Sequence, residues 1–178
     1  MIALRELKEK DAEYMLEWMH DPDIQKGFKK DFLDATIDDA KSFIKKSKIP
    51  RQLISGKDLH YAIVNDDDVY LGTISLKKLD LDNLSAEYAI TTRKGAHGRG
   101  VGSRATKLIL KKAFLELGLH RVYLNVYADN TDAIRLYKRC GFKYEGEFRD
   151  HIRRNNEFVN WKWFGMLDTE FKERYSVQ

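Results

Sequence analysis

Apolar residues in the first part of the chain recur at spacings that predict one strand followed by two helices. Residues 2–7 alternate apolar and polar side chains, which is typical of a short strand. A helix is expected to begin at Asp11, acting as its cap, and to run to about residue 20. Its buried face would be formed by four large side chains, Tyr14, Met15, Trp18 and Met19. An Asp-Pro dipeptide would end it, and a second helix is expected over residues 37–46.

The middle of the chain predicts three consecutive strands. Residues 59–64 and 69–76 are mainly apolar and are separated by the acidic segment 65–68. Two such runs with a short polar connection predict a β-hairpin. Residues 84–92 predict the third strand.

A long helix is predicted over residues 101–117, ending at Gly118. The residues expected on one of its faces are Val101, Ala105, Leu108, Lys112 and Leu115. A strand over 122–126 follows, and then a short helix over 131–140 that ends at Gly141. A helix between two strands favours parallel pairing of those strands.

The closing part of the chain predicts two more strands, over residues 142–148 and 158–167, and a short terminal helix over 168–175. Consecutive strands favour antiparallel pairing, whereas strands joined through a helix favour parallel pairing. The predicted fold class is therefore mixed α/β, with one mixed sheet and helices on both of its faces.

Length and composition narrow the classes of protein. The 178 residues suit a single domain over 1–178, and 43 % hydrophobic residues are enough for a substantial core. The formal net charge of +4 fits a polyanionic ligand. Positive and negative charges are mixed rather than striped, which counts against nucleic acid as a partner.

Cysteine content and hydropathy bear on compartment and metal binding. Cys140 is the single cysteine, so no disulfide forms within the chain and no cysteine zinc site is expected. The first eleven residues are charged where a signal peptide is apolar, and no apolar run approaches the ~20 residues of a membrane helix. A cytoplasmic protein with no membrane partner is expected, and no His, Asp or Glu spacing indicates a metal.

The segment Lys94-Gly-Ala-His-Gly-Arg-Gly-Val-Gly-Ser103 lies between a predicted strand and the long predicted helix. Glycines allow a tight turn, and the first N–H groups of a helix have no partner inside it. The helix dipole adds partial positive charge at the same place. Together these features predict a site for a pyrophosphate.

Two familiar phosphate motifs do not match this segment. Val101 follows Gly100 where a P-loop requires Lys, and Ser103 stands where the dinucleotide fingerprint requires its third glycine. A plain glycine-rich loop is the alternative interpretation. The basic residues around the loop favour an anion site; they are Arg93, Lys94, Arg99 and Arg104.

Two motifs resemble those of the GNAT superfamily of acetyltransferases. The segment His97-Gly98-Arg99-Gly100-Val101-Gly102 resembles the Gln/Arg-x-x-Gly-x-Gly/Ala motif of that superfamily, with His97 in the Gln/Arg position. Residues 124–142 are similar to its closing segment, a strand, an Asn, a helix with Ala and Leu-Tyr, then Gly-Phe. The resemblance is firm over residues 61–148. It is nearest to the branch of ribosomal-protein N-terminal and spermidine acetyltransferases.

The resemblance implies a GNAT-like, largely antiparallel sheet of about seven strands and direct transfer of acetyl from acetyl-CoA to an amine. The residues it implies for coenzyme A binding are Ile90, Thr91, His97, Gly98, Arg99, Gly100, Val101, Gly102, Ser103 and Asn130. Ile90 and Thr91 would hold pantetheine amides through their backbone. Asn130 could instead be only a helix N-cap.

The resemblance also implies two catalytic residues. Tyr137 matches the tyrosine that donates a proton to the departing sulfur; the alternative is a half-buried packing residue. Glu87 matches an acid that helps to take the proton of the amine in many relatives. A strand carboxylate paired with a surface lysine is the alternative for Glu87, and a water chain could carry the proton.

The sequence does not specify the amine that accepts the acetyl group. A small-molecule amine, either a polyamine or an amino sugar, ranks first, and a protein N-terminus ranks second. Acidic residues in the N-terminal third would attract a polyamine: Asp21, Asp23, Asp31, Asp34, Asp38 and Asp39. A non-catalytic acyl-CoA sensor and a nucleic-acid-binding module are remoter alternatives, and relatives of this kind are often homodimers.

Overall fold

The computed structural model describes residues 1–175 and contains one sheet of seven strands. The strands are β1 (Ile2–Glu6), β2 (Leu59–Asn65), β3 (Tyr70–Asp80), β4 (Ser85–Thr92), β5 (Arg121–Tyr127), β6 (Lys143–Arg154) and β7 (Glu157–Leu167). The helices are α1 (Ala12–Met19), α2 (Pro22–Gln25), α3 (Ile37–Lys46), α4 (Val101–Lys111), α5 (Thr131–Cys140) and α6 (Asp168–Tyr175). The strand order is β1-β2-β3-β4-β5-β7-β6, and β4 with β5 is the parallel pair in it.

This architecture confirms the predicted fold class and the predicted order of elements. Helices α3 and α5 have the expected bounds, and each carries a clear signal at one or both of its ends. Thr36 and Asp39 form a capping box at the start of α3. Gly141 ends α5 with φ of 99°, a left-handed conformation that favours glycine. The C-terminal helix over 168–175 is also present.

The prediction that Asp11 caps the first helix is wrong. Its carboxylate turns back and accepts hydrogen bonds from the Lys8 backbone at 2.8 Å and from the Arg5 guanidinium at 2.7 and 2.8 Å. This arrangement holds a short 3-10 turn, Glu9–Asp11, in front of α1. The one-turn helix α2, whose first residues are capped by Asp21, was not predicted.

The buried face predicted for the long helix is right at Val101 and Ala105 and wrong further along the helix. Leu115 is 36 % exposed, and Leu108 and Lys112 are only partly buried. The residues of this helix that enter the core are Val101, Ala105, Thr106, Ile109, Leu110, Ala113 and Phe114. They follow an i, i+4 line from Val101, and a π-helical turn over Lys112–Glu116 continues α4 to Gly118.

The two faces of the sheet are covered by different helices. We call the side against which α4, α5 and α6 pack the first face, with Ile63, Tyr88 and Phe164 among its buried residues. The second face carries α1 and α3, which cover Ala62 and Val64 of β2. No helix within residues 1–175 is long and apolar enough to cross a membrane.

The sheet opens between its two parallel strands. Strands β4 and β5 pair at three positions, from Ser85 with Arg121 to Glu87 with Tyr123. Both strands then continue, over residues 88–92 and 124–127, without pairing to each other. We call the gap between these two stretches the opening. It lies at the carboxyl ends of the parallel strands, where ligands bind in open α/β sheets.

Gly72 sets how closely β3 approaches the part of β4 that borders the opening. A Cβ atom at Gly72 would overlap the Thr91 carbonyl oxygen and lie 2.8 Å from the Thr92 Cα. We expect Gly72→Ala to lower the free energy of unfolding by about 2 kcal/mol, since the backbone must move. Urea denaturation measures the loss.

Gly95→Ala is the matched control for Gly72→Ala, because a Cβ atom there meets nothing within 4 Å. It should change the free energy of unfolding by no more than about 0.5 kcal/mol. Equal losses in the two variants would contradict the close approach of β3 and β4.

Candidate active site

The glycine-rich segment forms a tight turn that ends at the N-terminus of α4. Gly98 and Gly100 have φ of 72° and 69°, so both use the left-handed conformation available to glycine. The first helical hydrogen bond runs from the Arg104 N–H to the Gly100 carbonyl at 3.1 Å. The N–H groups of residues 101–103 therefore have no partner inside the helix and suit an anionic ligand.

The basic residues near this turn do not all remain available to an anion. Arg93 instead binds Glu17, with N···O distances of 2.7 and 2.8 Å, and donates to the Tyr70 carbonyl. Arg99 and Arg104 are exposed, and the Arg104 guanidinium donates to the Arg99 carbonyl at 2.8 Å. These two guanidinium groups supply the positive charge beside the free N–H groups.

His97 occupies the first position of the motif and is exposed. One ring nitrogen lies 3.2 Å from the Thr92 carbonyl oxygen at the end of β4. This contact joins the glycine-rich turn to the strand that borders the opening. Contact of the His97 side chain with coenzyme A stays a prediction.

Helix α5 lies close against the start of α4 because Gly102 has no side chain. A Cβ atom at Gly102 would lie 3.3 Å from Leu136 Cδ2. One turn further along α4, the Thr106 hydroxyl donates to the Gly102 carbonyl and contacts the Tyr88 hydroxyl, both at 2.7 Å. These contacts tie β4, α4 and α5 together beside the opening.

Tyr137 lies on the first face, with its residue surface 8 % exposed. Its ring packs edge-on against Tyr88 at 5.8 Å and also contacts Phe142 and Phe164. Burial raises the pKa of Tyr137, so its hydroxyl holds its proton through the physiological range. Within residues 1–175 the Tyr137 hydroxyl makes no hydrogen bond, and its oxygen is not completely buried. The proton is thus available to a neighbouring base.

Asn130 is the N-cap of α5, as the alternative interpretation held. Its Oδ1 accepts a hydrogen bond from the Ala133 N–H at 3.2 Å. Its Nδ2 faces Gly27, 3.7 Å from where a Cβ atom of that glycine would lie. The cap fixes the side chain at the carboxyl end of β5, and contact with pantetheine stays a prediction.

Ile90 and Thr91 border the opening from the β4 side. They pair with Ile74 and Thr73 of β3, so one edge of the strand is held in the sheet. Their other edge faces the opening, since pairing with β5 has already ended at Glu87. Backbone groups on that edge suit hydrogen bonds to an extended ligand with amides.

Glu87 lies on the second face, because Tyr88 points to the first face and successive strand residues alternate. The carboxylate contacts two ammonium groups, Lys78 at 2.6 Å and Lys77 at 3.3 Å. The hydrogen bond with Glu87 raises the pKa of Lys78. The structure thus shows the lysine pairing; the role of Glu87 as a base stays a prediction.

Tyr137 and Glu87 are therefore not brought into contact. They lie on opposite faces of the sheet, both next to the opening. Sequence reasoning missed Lys77, Lys78 and Thr106 as partners of the site. The two lysines could have been suggested by an antiparallel hairpin register, but the polar turn that joins the strands left that register open.

The fold and this site define a class of protein, the acyl-CoA-dependent transferases: a helix N-terminus suited to a pyrophosphate beside an opened pair of parallel strands. A family model of the acetyltransferase (GNAT) domain matches residues 2–143. This chain belongs to the GNAT acetyltransferase family. It is an acetyl-CoA-dependent N-acetyltransferase.

Individual relatives agree with this membership. An uncharacterised N-acetyltransferase of Bacillus subtilis strain 168 is 25 % identical over 170 residues, covering 96 % of this chain and 95 % of the relative. The spermidine N(1)-acetyltransferase of Escherichia coli strain K12 is 24 % identical over 159 residues, covering 89 % and 82 %. The fold matches that of a Vibrio cholerae spermidine N-acetyltransferase solved with CoA and spermine, with a TM-score of 0.83 at 20 % identity, covering 96 % and 97 %.

The left-handed turn at Gly100 should matter for acetyl-CoA binding more than for folding. Alanine at this position disfavours the left-handed backbone conformation by about 1–2 kcal/mol. If the turn relaxes to another conformation, the dissociation constant for acetyl-CoA should rise about tenfold. We expect this loss for Gly100→Ala in calorimetric titration with acetyl-CoA.

Gly118→Ala provides the control for Gly100→Ala. Gly118 has φ of 68° and lies at the opposite end of the same helical segment, with open space around it. It should destabilise the fold to a similar degree and leave the dissociation constant unchanged. Equal weakening of acetyl-CoA binding in both variants would show that the effect comes from general destabilisation.

Proposed function

We propose that this protein transfers acetyl from acetyl-CoA to a primary amine of a small molecule by direct attack. The observation that carries the proposal is that Tyr137, whose pKa is raised by burial, packs against Tyr88 at the start of the opening, on the helix that contacts the first turn of α4. The names of the two spermidine acetyltransferase relatives support an amine acceptor. Polyamines and amino sugars are the acceptor classes that we consider.

Coenzyme A would be held by groups that the fold aligns along one path. Residues 98–103 offer backbone N–H groups to the pyrophosphate, with His97 and Arg99 beside them. Ile90 and Thr91 offer the free edge of β4, and Asn130 offers its Nδ2, to the pantetheine arm. This path ends near Tyr137.

The transfer requires two proton movements. The neutral amine attacks the thioester carbonyl carbon, a C–N bond forms, and the C–S bond breaks. Tyr137 gives its proton to the departing thiolate from the first face. The amine gives up a proton on the second face, to Glu87 or to water, so that a neutral amide results. Placing donor and acceptor groups on opposite faces keeps them from neutralising each other.

Four of the six acidic residues of the N-terminal third make local contacts, whereas Asp34 and Asp38 are exposed and make no side-chain hydrogen bond or ion pair within residues 1–175. Asp21 caps α2, Asp39 closes the capping box of α3, and Asp31 accepts from the Leu33 N–H at 2.9 Å. Asp23 is paired with Lys26 at 2.8 Å. These carboxylates serve local structure, and a polyamine would have to compete for them.

The proposal is tested by following thiol release from acetyl-CoA with the purified protein. The acceptor panel contains spermidine, glucosamine, a nucleotide-linked amino sugar, a simple arylalkylamine and a peptide with a free N-terminus. Turnover with a small-molecule amine supports the proposal. Turnover with the peptide alone would replace it with protein N-terminal acetylation.

Tyr137→Phe removes the proton donor and retains the aromatic ring. We expect kcat to fall by about 100-fold or more, since the thiolate must leave unprotonated. The dissociation constant for acetyl-CoA should stay the same, because the ring contacts remain. The measurement is kcat for thiol release with the acceptor of the panel that gives the fastest turnover.

The control for Tyr137→Phe is Tyr144→Phe, an exposed tyrosine that packs against Phe164 on the same face. This control should retain the kcat of the parent protein. A Tyr137→Phe variant with unchanged kcat would remove Tyr137 from the mechanism and leave the proton to water.

Glu87→Gln tests the acid on the second face. If Glu87 accepts the proton of the amine, kcat should fall by about 10- to 100-fold. Lys77→Gln removes one ion-pair partner but keeps the carboxylate, so it should retain kcat. Similar losses of melting temperature with unchanged kcat in both variants would show that Glu87 serves only the ion pairs.

A further inference from the structure

Five aromatic side chains form a continuous surface on the second face, next to the opening. We call this surface the aromatic shelf; its members are Tyr123, Phe148, His151, Trp161 and Trp163. Tyr123 and Trp163 stack with ring centres 6.0 Å apart, and His151 stacks on Trp161 at 5.2 Å. Phe148 contacts both Trp163 and His151, at 5.5 and 5.2 Å.

The shelf begins where the chemistry is proposed to occur. Tyr123 is the register partner of Glu87 at the last paired position of β4 and β5. Asn125 follows on the same face of β5, inside the opening, and its register partner on β7 is Trp163. Within residues 1–175 the side-chain amide of Asn125 makes no hydrogen bond, and Asn125 is partly exposed opposite Trp163.

The shelf remains accessible because α1 and α3 cover a different part of the second face. Phe148 is 49 % exposed, and Trp161 and Trp163 are partly buried. The Trp163 Nε1 is buried without a hydrogen-bond partner among the described residues. Exposed aromatic groups that adjoin a polar group are typical of a ligand-binding surface.

Three acidic side chains next to the opening are already paired with cations of the protein, whereas Asp150 of β6 makes no ion pair within residues 1–175. Glu145 binds Arg121, Asp129 binds Arg154, and Glu87 binds its two lysines. Two rings next to the opening already face cations of the protein itself. Arg154 lies 4.7 Å from the ring of Tyr127, and Arg121 lies 5.7 Å from the ring of Tyr123. A chain with several ammonium groups would meet like charges here, whereas an apolar ring face would not.

We propose that the aromatic shelf recognises the group that carries the amine, and that the acceptor is a primary amine attached to a ring with an apolar face. The ring would pack on Trp163 and Trp161, while Asn125 hydrogen-bonds a polar substituent near the amine. Arylalkylamines and amino sugars share this chemistry. The inference rests on the proposed function and names the acceptor class of the same site.

The test compares kcat and KM for 2-phenylethylamine, glucosamine and spermidine in the parent protein and in Trp163→Ala. We expect a ring-bearing amine to have the highest kcat/KM. Trp163→Ala should raise the KM of that amine about tenfold with little change in kcat, because stacking holds the substrate but moves no proton. Asn125→Ala should act in the same direction. Whichever of 2-phenylethylamine and glucosamine has the higher kcat/KM shows whether the shelf binds an aromatic ring or a sugar ring.

Phe158→Ala is the control, since Phe158 is 63 % exposed on the same hairpin and outside the shelf. It should leave every KM unchanged. The inference is overturned if spermidine is the best acceptor and Trp163→Ala does not alter KM. It is also overturned if Trp163→Ala changes the oligomeric mass in light scattering and leaves KM alone, which would make the shelf an interface between copies.

A binding measurement separates failure of the inference from failure of the proposed function. Calorimetric titration of the coenzyme A complex with 2-phenylethylamine and glucosamine requires no turnover. Binding that is lost in Trp163→Ala but kept in Phe158→Ala supports the shelf even if no amine is acetylated. Absence of binding by both ring amines overturns the shelf, whether or not spermidine is acetylated.

Discussion

The end of the β4–β5 ladder after three residue pairs is the constraint on which the rest of the site depends. Each strand is still held on its outer side where the ladder ends. Strand β4 pairs with β3 as far as Thr92, and β5 pairs with β7 as far as Tyr127. Both sides of the opening are therefore held in the sheet. The inner edges of β4 and β5 at the opening keep backbone N–H and C=O groups that would be hydrogen-bonded in a continuous sheet.

Parallel pairing also decides what surrounds the opening. Strands that run in the same direction deliver the helices that follow them to the same end of the sheet. The N-terminus of α4, after the glycine-rich turn, and the N-terminus of α5, after Asn130, thus lie at one edge. Gly102 allows the two helices to touch, and this contact brings Tyr137 next to Tyr88. The proposed anion binding and the proposed proton donation therefore depend on one topological feature.

The sequence predicted best those features that have local physical signals. The bounds of α3 and α5 follow from a capping box and a left-handed glycine, both readable within a few residues. The predicted helix cap at Asp11 was wrong because its carboxylate binds Arg5, which belongs to the preceding strand. A tertiary contact thus outweighs the local capping preference. The glycine-rich turn was recognisable. The pairing of Glu87 with Lys77 depends on hairpin register, which the sequence alone leaves undetermined.

The face on which a residue lies separates the roles within the site. Tyr88 and Glu87 are adjacent in sequence, yet one packs against Tyr137 and the other binds lysines on the far side of the sheet. A strand alternates its side chains, so a single stretch of β4 contributes side chains to both faces and leaves its backbone edge for the proposed coenzyme contact. Because α4 and α5 cover the first face, the proposed mechanism brings the acceptor amine from the second face. In the proposed mechanism the residues of the second face, rather than those of the glycine-rich turn, would select the acceptor.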